Sequence, residues 1–442
     1  MNCHRCGRML TAAILAFAQI ILVPSYPNAY GQSEARQGPG QGPGQGLGQG
    51  RGRRGIDHHI SKHESISLDA EDAAARVRRD GQLTIASASH NFQLQLTPHD
   101  LRARDYQALD TAEGGISAIV ETNRVRTFKG KAVGSEAEAR FTVDEETIEG
   151  VIITADEKYF VEPLRKYEAG ARATDFVLYK GSDVYQPESE ECGVTLEHKA
   201  ENAYENFAAH TATGGAPEIA AAMTYKEVEL ATEADYEYVT ALGGAAAANN
   251  EILSILNQIE GIYKAELGIS FKVSYQSTWS VAADPYTQVE SAKILEEFRT
   301  YWNSNHSDVA RDLAHLWTGK DIYTTDSAGT RNMNNVGVAY SGVTCKSPTY
   351  GYGLTERRTA AASKVRVTSH EIGHNFGASH ASGTGCDNTI MSAVGSSSTV
   401  STFCQVSRDE INAHLSAYNN CLAVATDSAP TLIQLSAPTY RR

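Results

Sequence analysis

The sequence is short of positive charge, of cysteine and of long apolar runs, and each shortage excludes a class of protein. Its 442 residues contain 39 Lys and Arg against 53 Asp and Glu, which gives a formal net charge of −14. So acidic a chain is a poor nucleic-acid binder and a poor binder of anionic membranes, and we expect neither partner. Seven cysteines are too few to hold together a miniature disulfide scaffold. Hydrophobic residues at 41% nevertheless suffice for a sizeable core, which excludes wholesale disorder.

The longest apolar run lies near the N-terminus, from Met9 to Val23, directly after Arg5 and Arg8. Its length of about fifteen residues falls short of the roughly twenty that a transmembrane helix needs. The run therefore predicts a secretory signal peptide over residues 1–30 in preference to a membrane anchor. We expect no membrane span, and a secreted, extracellular protein, or a periplasmic one if the source is bacterial. Disulfides can form in either compartment.

Two segments of different composition follow the signal peptide. A tetrapeptide repeats as QGPG QGPG QGLG QGRG with almost nothing to bury, so residues 31–56 are predicted to be a Gly/Gln-rich, solvated linker. Short runs with period-two alternation then begin, such as NFQLQLT at 91–97. Alternation of this kind is typical of half-buried antiparallel strands, and it predicts a β-rich domain over residues 57–215.

The pattern changes after that domain. Strand-like runs alternate with helix-like runs, which predicts an α/β layer with a mixed sheet over residues 216–425, followed by a C-terminal tail at 426–442. An Ala-rich segment predicts one long helix from about residue 233 to 267. The run VGVAYSG at 336–342 predicts a strand at the edge of the sheet.

The chemistry-bearing residues lie in the run HEIGHNFGASH, which begins at His370. His370 and His374 are four residues apart, so on a helix they share one face and can hold one metal ion. Glu371 is placed to reach a water on that metal, and Gly377 can adopt the positive φ that turns the chain and returns His380 as a third imidazole. Three protein ligands with one open position are typical of catalytic zinc.

The five fixed residues of this run are specific. Their chance occurrence in a chain of this composition is on the order of 10⁻⁴. The pattern HExxHxxGxxH resembles the metzincin zinc proteases, and Met391, eleven residues after His380, is similar to the methionine of their Met-turn. The alternative is three ordinary histidines on a helix and a methionine that fills the core.

Within the metzincins, the chain is most similar to the adamalysin/reprolysin group. The run VGVAYSGVTC at 336–345 resembles that group's substrate-binding edge strand, and TFKGK at 127–131 and YFVEPL at 159–164 resemble its propeptide. The resemblance extends over most of residues 90–425. Ala381 departs from the group, because Asp usually follows the third histidine there.

The resemblance implies an α/β metzincin catalytic domain, with a mixed sheet, an active-site helix and a Met-turn, preceded by a β-rich propeptide domain. It implies one catalytic Zn²⁺ on the three histidines, with Glu371 as general base, and hydrolysis of protein or peptide substrates. Glu229 and Asp312 are similar to the group's calcium ligands, but no Asn follows Cys421, so the sequence leaves a Ca²⁺ site open.

Five cysteines remain once the signal peptide is removed. Four of them, Cys345, Cys386, Cys404 and Cys421, allow three pairings, and the resemblance implies Cys345–Cys421 and Cys386–Cys404. Cys192 is left over, in the run EECGV between the two domains.

Cys192 resembles the cysteine of a metzincin zymogen, which acts as an inhibitory zinc ligand. A thiolate is a strong ligand for zinc, and Gly193 permits a close backbone approach, so we expect Cys192 to fill the fourth position and keep the enzyme latent. The alternatives are an unpaired surface thiol and an intermolecular disulfide.

Two other functions stay open at the level of sequence. One is a non-catalytic secreted binding or adhesion module that retains a metzincin fold, although such a module has no use for a base at Glu371. The other is a structural zinc protein, although such a site is normally closed by a fourth protein ligand. We expect the protein to be a monomer and a zinc metalloendopeptidase.

Overall fold

The computed structural model describes residues 55–115, 117–119, 124–185, 191–193, 224–395 and 401–426. The predicted signal peptide, almost all of the predicted linker and C-terminal tail, and the predicted domain boundary after residue 215 lie outside these ranges. No helix within them combines the length and apolarity that crossing a membrane requires.

Residues 55–193, here called the N-terminal region, are mainly strands, in agreement with their period-two alternation. Along β3, for example, the buried side chains alternate with exposed ones. The single helix of its described part, α1 (Ala70–Asp80), is capped by the Asp69 side chain and ends at Gly81, whose φ is 75°. The strands are β1 (Glu64–Ser67), β2 (Gln82–Ala86), β3 (Asn91–Pro98), β4 (Arg102–Thr111), β5 (Ser117–Ile119), β6 (Thr127–Ala132), β7 (Glu138–Val143), β8 (Ile148–Ile153), β9 (Lys158–Pro163), β10 (Asp175–Lys180) and β11 (Glu191–Cys192).

Eight of these strands form one antiparallel sheet, here called the first sheet. Their order is β1-β10-β9-β8-β7-β6-β3-β2. One face of the sheet is covered by α1, whose Val77 lies in a core with Leu94, Phe141 and Val161. The other face lies against the C-terminal half of the chain.

Residues 224–426 alternate strands and helices, as predicted. The helices are α2 (Tyr236–Leu242), α3 (Ala245–Leu267), α4 (Ser291–Asn305), α5 (Ala361–Asn375) and α6 (Gln405–Ala417). The strands are β12 (Thr224–Ala234), β13 (Ile269–Trp279), β14 (Leu313–Thr318), β15 (Thr324–Thr325), β16 (Arg331–Asn332), β17 (Asn335–Ala339), β18 (Tyr352–Glu356) and β19 (Ala423–Thr426). Short 3₁₀ turns lie at Gly55–His58, Leu164–Lys166, Gly181–Asp183 and Pro348–Tyr350.

The single helix predicted over 233–267 begins too early and is interrupted. β12 continues to Ala234, because this strand is paired on both sides, with β13 and β14. The helical residues are then divided between α2 and α3 by Gly243 and Gly244, whose φ values are 86° and 131°. These left-handed conformations cannot continue a helix.

The mixed sheet predicted for this half is present, here called the second sheet, and its order is β11-β17-β18-β14-β12-β13-β4-β5, with β19 beside β12. β17 runs antiparallel to β18, whereas β18, β14, β12 and β13 run parallel to one another. Strands of the N-terminal region lie at both ends of the second sheet. β4 pairs with β13 at one end, and the two residues of β11 pair with β17 at the other.

Helix α3 lies between the two sheets and shows each a different face. Ile252, Ile259 and Ile262 belong to the apolar core with the second sheet. Val151, Phe160 and Val177 of the first sheet belong to the same core. The contacts toward the first sheet also include polar ones, since Asn257 donates to the carbonyl oxygens of Phe128 and Phe141.

Candidate active site

The helix that carries the sequence motif, α5, is buried along its whole length. His370 and His374 lie one turn apart on it, near its C-terminal end. The chain then turns at Gly377, whose φ is 89°, and this turn brings back His380. The positive φ predicted for this glycine is thus present.

The three imidazoles converge on one point. The Nε2 atoms of His370 and His374 are 3.0 Å apart, and the Nε2 atom of His380 is 3.2 Å from that of His370 and 3.3 Å from that of His374. Tetrahedral zinc at about 2.0–2.1 Å from each nitrogen requires nitrogens about 3.4 Å apart. The donor set therefore fits a zinc ion.

The outer nitrogens of the first two rings are held by main-chain oxygens. Nδ1 of His370 lies 2.6 Å from the carbonyl oxygen of Ile390, and Nδ1 of His374 lies 2.7 Å from that of Ala378. A proton on each Nδ1 leaves Nε2 as the lone-pair donor, which is the second-layer support usual for metal-binding histidines. Burial and the neighbouring imidazoles lower the pKa of His370, and burial lowers the pKa of His374 to about 3. The rings are therefore neutral, as metal ligands must be.

Glu371 is fully buried beside these rings. Its Oε1 atom has no hydrogen-bond partner in the described part of the chain, whereas Oε2 accepts from the Cys192 thiol at 3.4 Å. Burial raises the pKa of Glu371 to about 8, against the lowering effects of that thiol and of Arg366. A side chain at Gly337 would place its first carbon 2.5 Å from Oε1, so only glycine lets β17 pass this close to the carboxylate.

Cys192 lies over the open side of the three imidazoles. Its Sγ atom is 3.5 Å from Nε2 of His374, and one ligand atom from each of the four residues lies within 4.8 Å of every other. A tetrahedral zinc with a sulfur at about 2.3 Å would set this sulfur–nitrogen distance at about 3.6 Å. The four residues are here called the histidine–cysteine cluster.

Two backbone hydrogen bonds hold the segment that carries Cys192. The amide of Glu191 donates to Asn334 and the amide of Gly193 to Gly337, each at 2.8 Å. A first side-chain carbon at Gly193 would lie 2.8 Å from Ser291 Oγ and 2.9 Å from Asn335 Nδ2. A larger residue would have to displace these two side chains, so glycine suits the close approach predicted from the sequence.

Known proteins share the sequence of this half of the chain. Residues 224–425 match the reprolysin model of metallo-peptidase family M12. Over 198 residues the chain is 29% identical to snake venom metalloproteinase TM-1 of Protobothrops mucrosquamatus. The aligned stretch covers 43% of this chain and 92% of that protein. Residues 224–425 therefore resemble a reprolysin-type metzincin domain and are here called the reprolysin-like domain. These matches support a metallopeptidase, a class of enzyme whose substrates are proteins.

Met391 of the reprolysin-like domain is fully buried beneath the motif helix. A side-chain carbon added at Gly373 would lie 2.7 Å from its sulfur, so glycine makes room for the methionine. The carbonyl oxygen of Met391 accepts from the amide of Ala381, next to His380. Its role as a Met-turn stays a prediction.

Both disulfides that the resemblance implied are present in the reprolysin-like domain. Cys345–Cys421 joins the segment after β17 to the segment after α6, and Cys386–Cys404 closes the loop that contains Met391. Cys192 is in neither.

The two residues considered for calcium are neighbours, since Asp312 Oδ2 accepts from the Glu229 amide at 2.8 Å. A calcium site there stays a prediction.

The sequence analysis did not predict the residues whose side chains bind the segment with Cys192. Nδ2 of Asn335 lies 3.2 Å from the carbonyl oxygen of Glu191, and Nδ2 of Asn332 lies 2.5 Å from its carboxylate. The run RNMNN just before the predicted edge strand was the available signal, because amide side chains beside an edge strand suit a backbone partner.

Proposed function

We propose that the protein is a secreted zinc-dependent endopeptidase that is made as a latent zymogen. One observation carries the proposal: the three Nε2 atoms form a triangle with edges of 3.0–3.3 Å, with the Glu371 carboxylate beside it. A structural zinc site has no use for such a carboxylate.

In this proposal His370, His374 and His380 hold the zinc ion. When bound, zinc polarises the scissile carbonyl and makes water more acidic. Glu371 acts as general base: its carboxylate takes the proton of the attacking water and delivers it to the leaving amine. Its free Oε1 atom and its burial within the helix suit this transfer, because the carboxylate is held without a competing partner on that oxygen.

The substrate backbone is proposed to pair with β17. This strand lies at the edge of the reprolysin-like part of the sheet, and an extended segment, β11, already pairs with it. Backbone pairing fixes the register of a peptide without reading much of its sequence. Gly337 then brings the paired peptide close to Glu371.

Glu371→Gln tests the proposed hydrolysis. We expect kcat/KM for a quenched fluorescent casein to fall about 10²–10⁴-fold in proteolytically processed protein, with the zinc content unchanged. Asp409→Asn, on the exposed side of α6, is the control and should keep wild-type activity. Wild-type turnover by Glu371→Gln would refute the assigned role. No turnover in processed wild-type protein, with or without a chelator, would favour the binding-module alternative.

Latency is proposed to depend on Cys192. In this proposal the thiol occupies the open side of the three imidazoles and excludes water and substrate from it. Cys192→Ala should therefore give an unprocessed chain that hydrolyses peptide, whereas Cys192→Ala with unchanged latency would remove the switch from the proposal. The activity is measured on chain whose intact mass is verified before and after the assay.

A further inference from the structure

The active-site helix α5 begins without a cap of its own. Its N-cap residue is Ala360, which has no capping side chain, and no acidic residue lies in its first turn. The first amides of a helix have no partner within it, and a buried amide left without one is costly. Ala361 and Ala362 are buried, so their amides need protein partners.

Those partners come from the first sheet. The amide of Ala361 donates to Oε1 of Glu162, on β9, at 3.1 Å. The amide of Ala362 donates to the hydroxyl oxygen of Tyr179, on β10, at 3.3 Å. An acceptor from a part of the chain some 199 positions away thus does what a Ser or Asp at residue 360 would do locally.

Glu162 is held rigidly in this position. The carboxylate is completely buried, and Oε1 also accepts from the hydroxyls of Tyr167 at 2.7 Å and Tyr179 at 2.5 Å. Oε2 accepts from Lys166 at 3.2 Å. Burial raises the pKa of Glu162, but Lys166 and Lys364 outweigh this and hold it below its usual value. A negative charge at a helix N-terminus is also stabilised by the helix dipole.

The N-terminal region therefore contacts both ends of α5. Glu162 meets its first turn, and Cys192 meets His374 in its last. Between these contacts, the carbonyl oxygen of Ser369 accepts from Tyr263 of α3 at 2.7 Å.

We propose that Glu162 is a positioning residue that caps the active-site helix from outside the reprolysin-like domain, so that the first turn of α5 depends on the docked first sheet. The inference concerns the order of a helix and not catalysis. Its test is therefore independent of the proposed hydrolysis.

Hydrogen–deuterium exchange of the full chain tests this cap. In Glu162→Ala we expect peptides covering residues 359–365 to exchange about tenfold faster, a factor typical of the loss of one helix cap. Glu162→Gln keeps an acceptor oxygen and should restore most of the protection. Peptides from β12 and β14 should not change.

Glu149→Gln is the matched control, because Glu149 also pairs with Lys166 but makes no hydrogen bond to α5 among the contacts of the described residues. Faster exchange at 359–365 in this control, equal to that in Glu162→Ala, would overturn the proposal. So would an increase spread evenly over the chain. If Glu162→Ala fails to fold, Tyr179→Phe decides. It removes the acceptor of the Ala362 amide and one of the donors to Glu162, and it should still speed exchange at 359–365. Unchanged exchange there in Tyr179→Phe would also overturn it.

Discussion

The N-terminal region contacts the reprolysin-like domain in two very different ways. Far from the histidine–cysteine cluster, β4 adds a strand of Arg102–Thr111 to β13, and buried charges join the first sheet to α3. At the cluster itself, β11 contributes only Glu191 and Cys192 to β17. The remote contact is long and includes a buried ion pair, whereas β11, within the described residues, is two residues long and half-buried.

This difference indicates that the two contacts have different roles. The remote contact holds the N-terminal region in place, so the segment with Cys192 is present at a high effective concentration beside His374. The short contact then needs little affinity of its own to fill the site. Because Cys192 stays joined to the N-terminal region, cutting the chain between residues 193 and 224 would remove this advantage only once the remote contact is also lost.

The largest effect is expected at the buried charges. Nη1 of Arg140, on β7, lies 2.5 Å from the Glu260 carboxylate on α3, and both side chains are 2–3% exposed. Arg140→Ala removes the guanidinium partner of the buried Glu260 carboxylate and leaves it only the His99 imidazole, so it should lower the free energy of unfolding by about 3–5 kcal/mol. Urea unfolding of the full chain measures this loss.

Arg78→Ala is the control for that substitution. Arg78 also pairs with a glutamate, Glu145, but both side chains are more than one third exposed. Its loss should cost less than about 1 kcal/mol. Equal losses in the two variants would mean that the contact between the first sheet and α3 is weak.

The strand contact is expected to give the next largest effect. Ala108 is buried in β4 and pairs with Gln276 of β13. Ala108→Pro removes a backbone donor from the pairing and should lower the free energy of unfolding by about 3 kcal/mol. Glu113→Pro, in the exposed turn after β4, should change it by less than about 1 kcal/mol. If Ala108→Pro left the free energy of unfolding unchanged, the pairing of β4 with β13 would not contribute to stability.

The sequence predicted the cluster better than it predicted these contacts. Three histidines within eleven residues fix their own geometry, because helix periodicity and the turn at Gly377 bring them together locally. The partner of β4 lies about 170 residues further along the chain, and alternation along a strand does not say which edge it joins.

The cap of α5 was unpredictable for the same reason. The run YFVEPL indicated a strand, but a strand pattern does not predict that the Glu162 carboxylate accepts a hydrogen bond from the Ala361 amide. By contrast, the error over 233–267 could have been avoided. The pair Gly243-Gly244 was visible, and Asp235 was a suitable cap for a helix that begins at Tyr236.

A smaller effect is expected from pH. Burial raises the pKa of Glu260, but Arg140 and His99 outweigh this and hold it well below the usual 4.5. Because the folded state lowers this pKa, Glu260 stabilises the protein above pH 4.5, and that contribution is lost as the pH falls. Between pH 4.5 and 3.5 the loss should be about 1 kcal/mol, as urea midpoints would show. Glu260→Gln should flatten the curve by this amount, and an unchanged slope would contradict the lowered pKa.

The smallest effect on stability is expected at β11. Glu191→Pro removes the amide that donates to Asn334, and it should change the free energy of unfolding by less than about 1 kcal/mol. If the proposed latency is correct, the same variant should hydrolyse peptide before processing, because the segment that positions Cys192 is loosened. Glu191→Ala keeps the amide and loses only the contact with Asn332, so it should stay closer to the latent wild type. A Glu191→Pro chain that is as latent as the wild type would mean that Cys192 holds its place without β11, and a large loss of stability would mean that the short contact is as strong as the remote one.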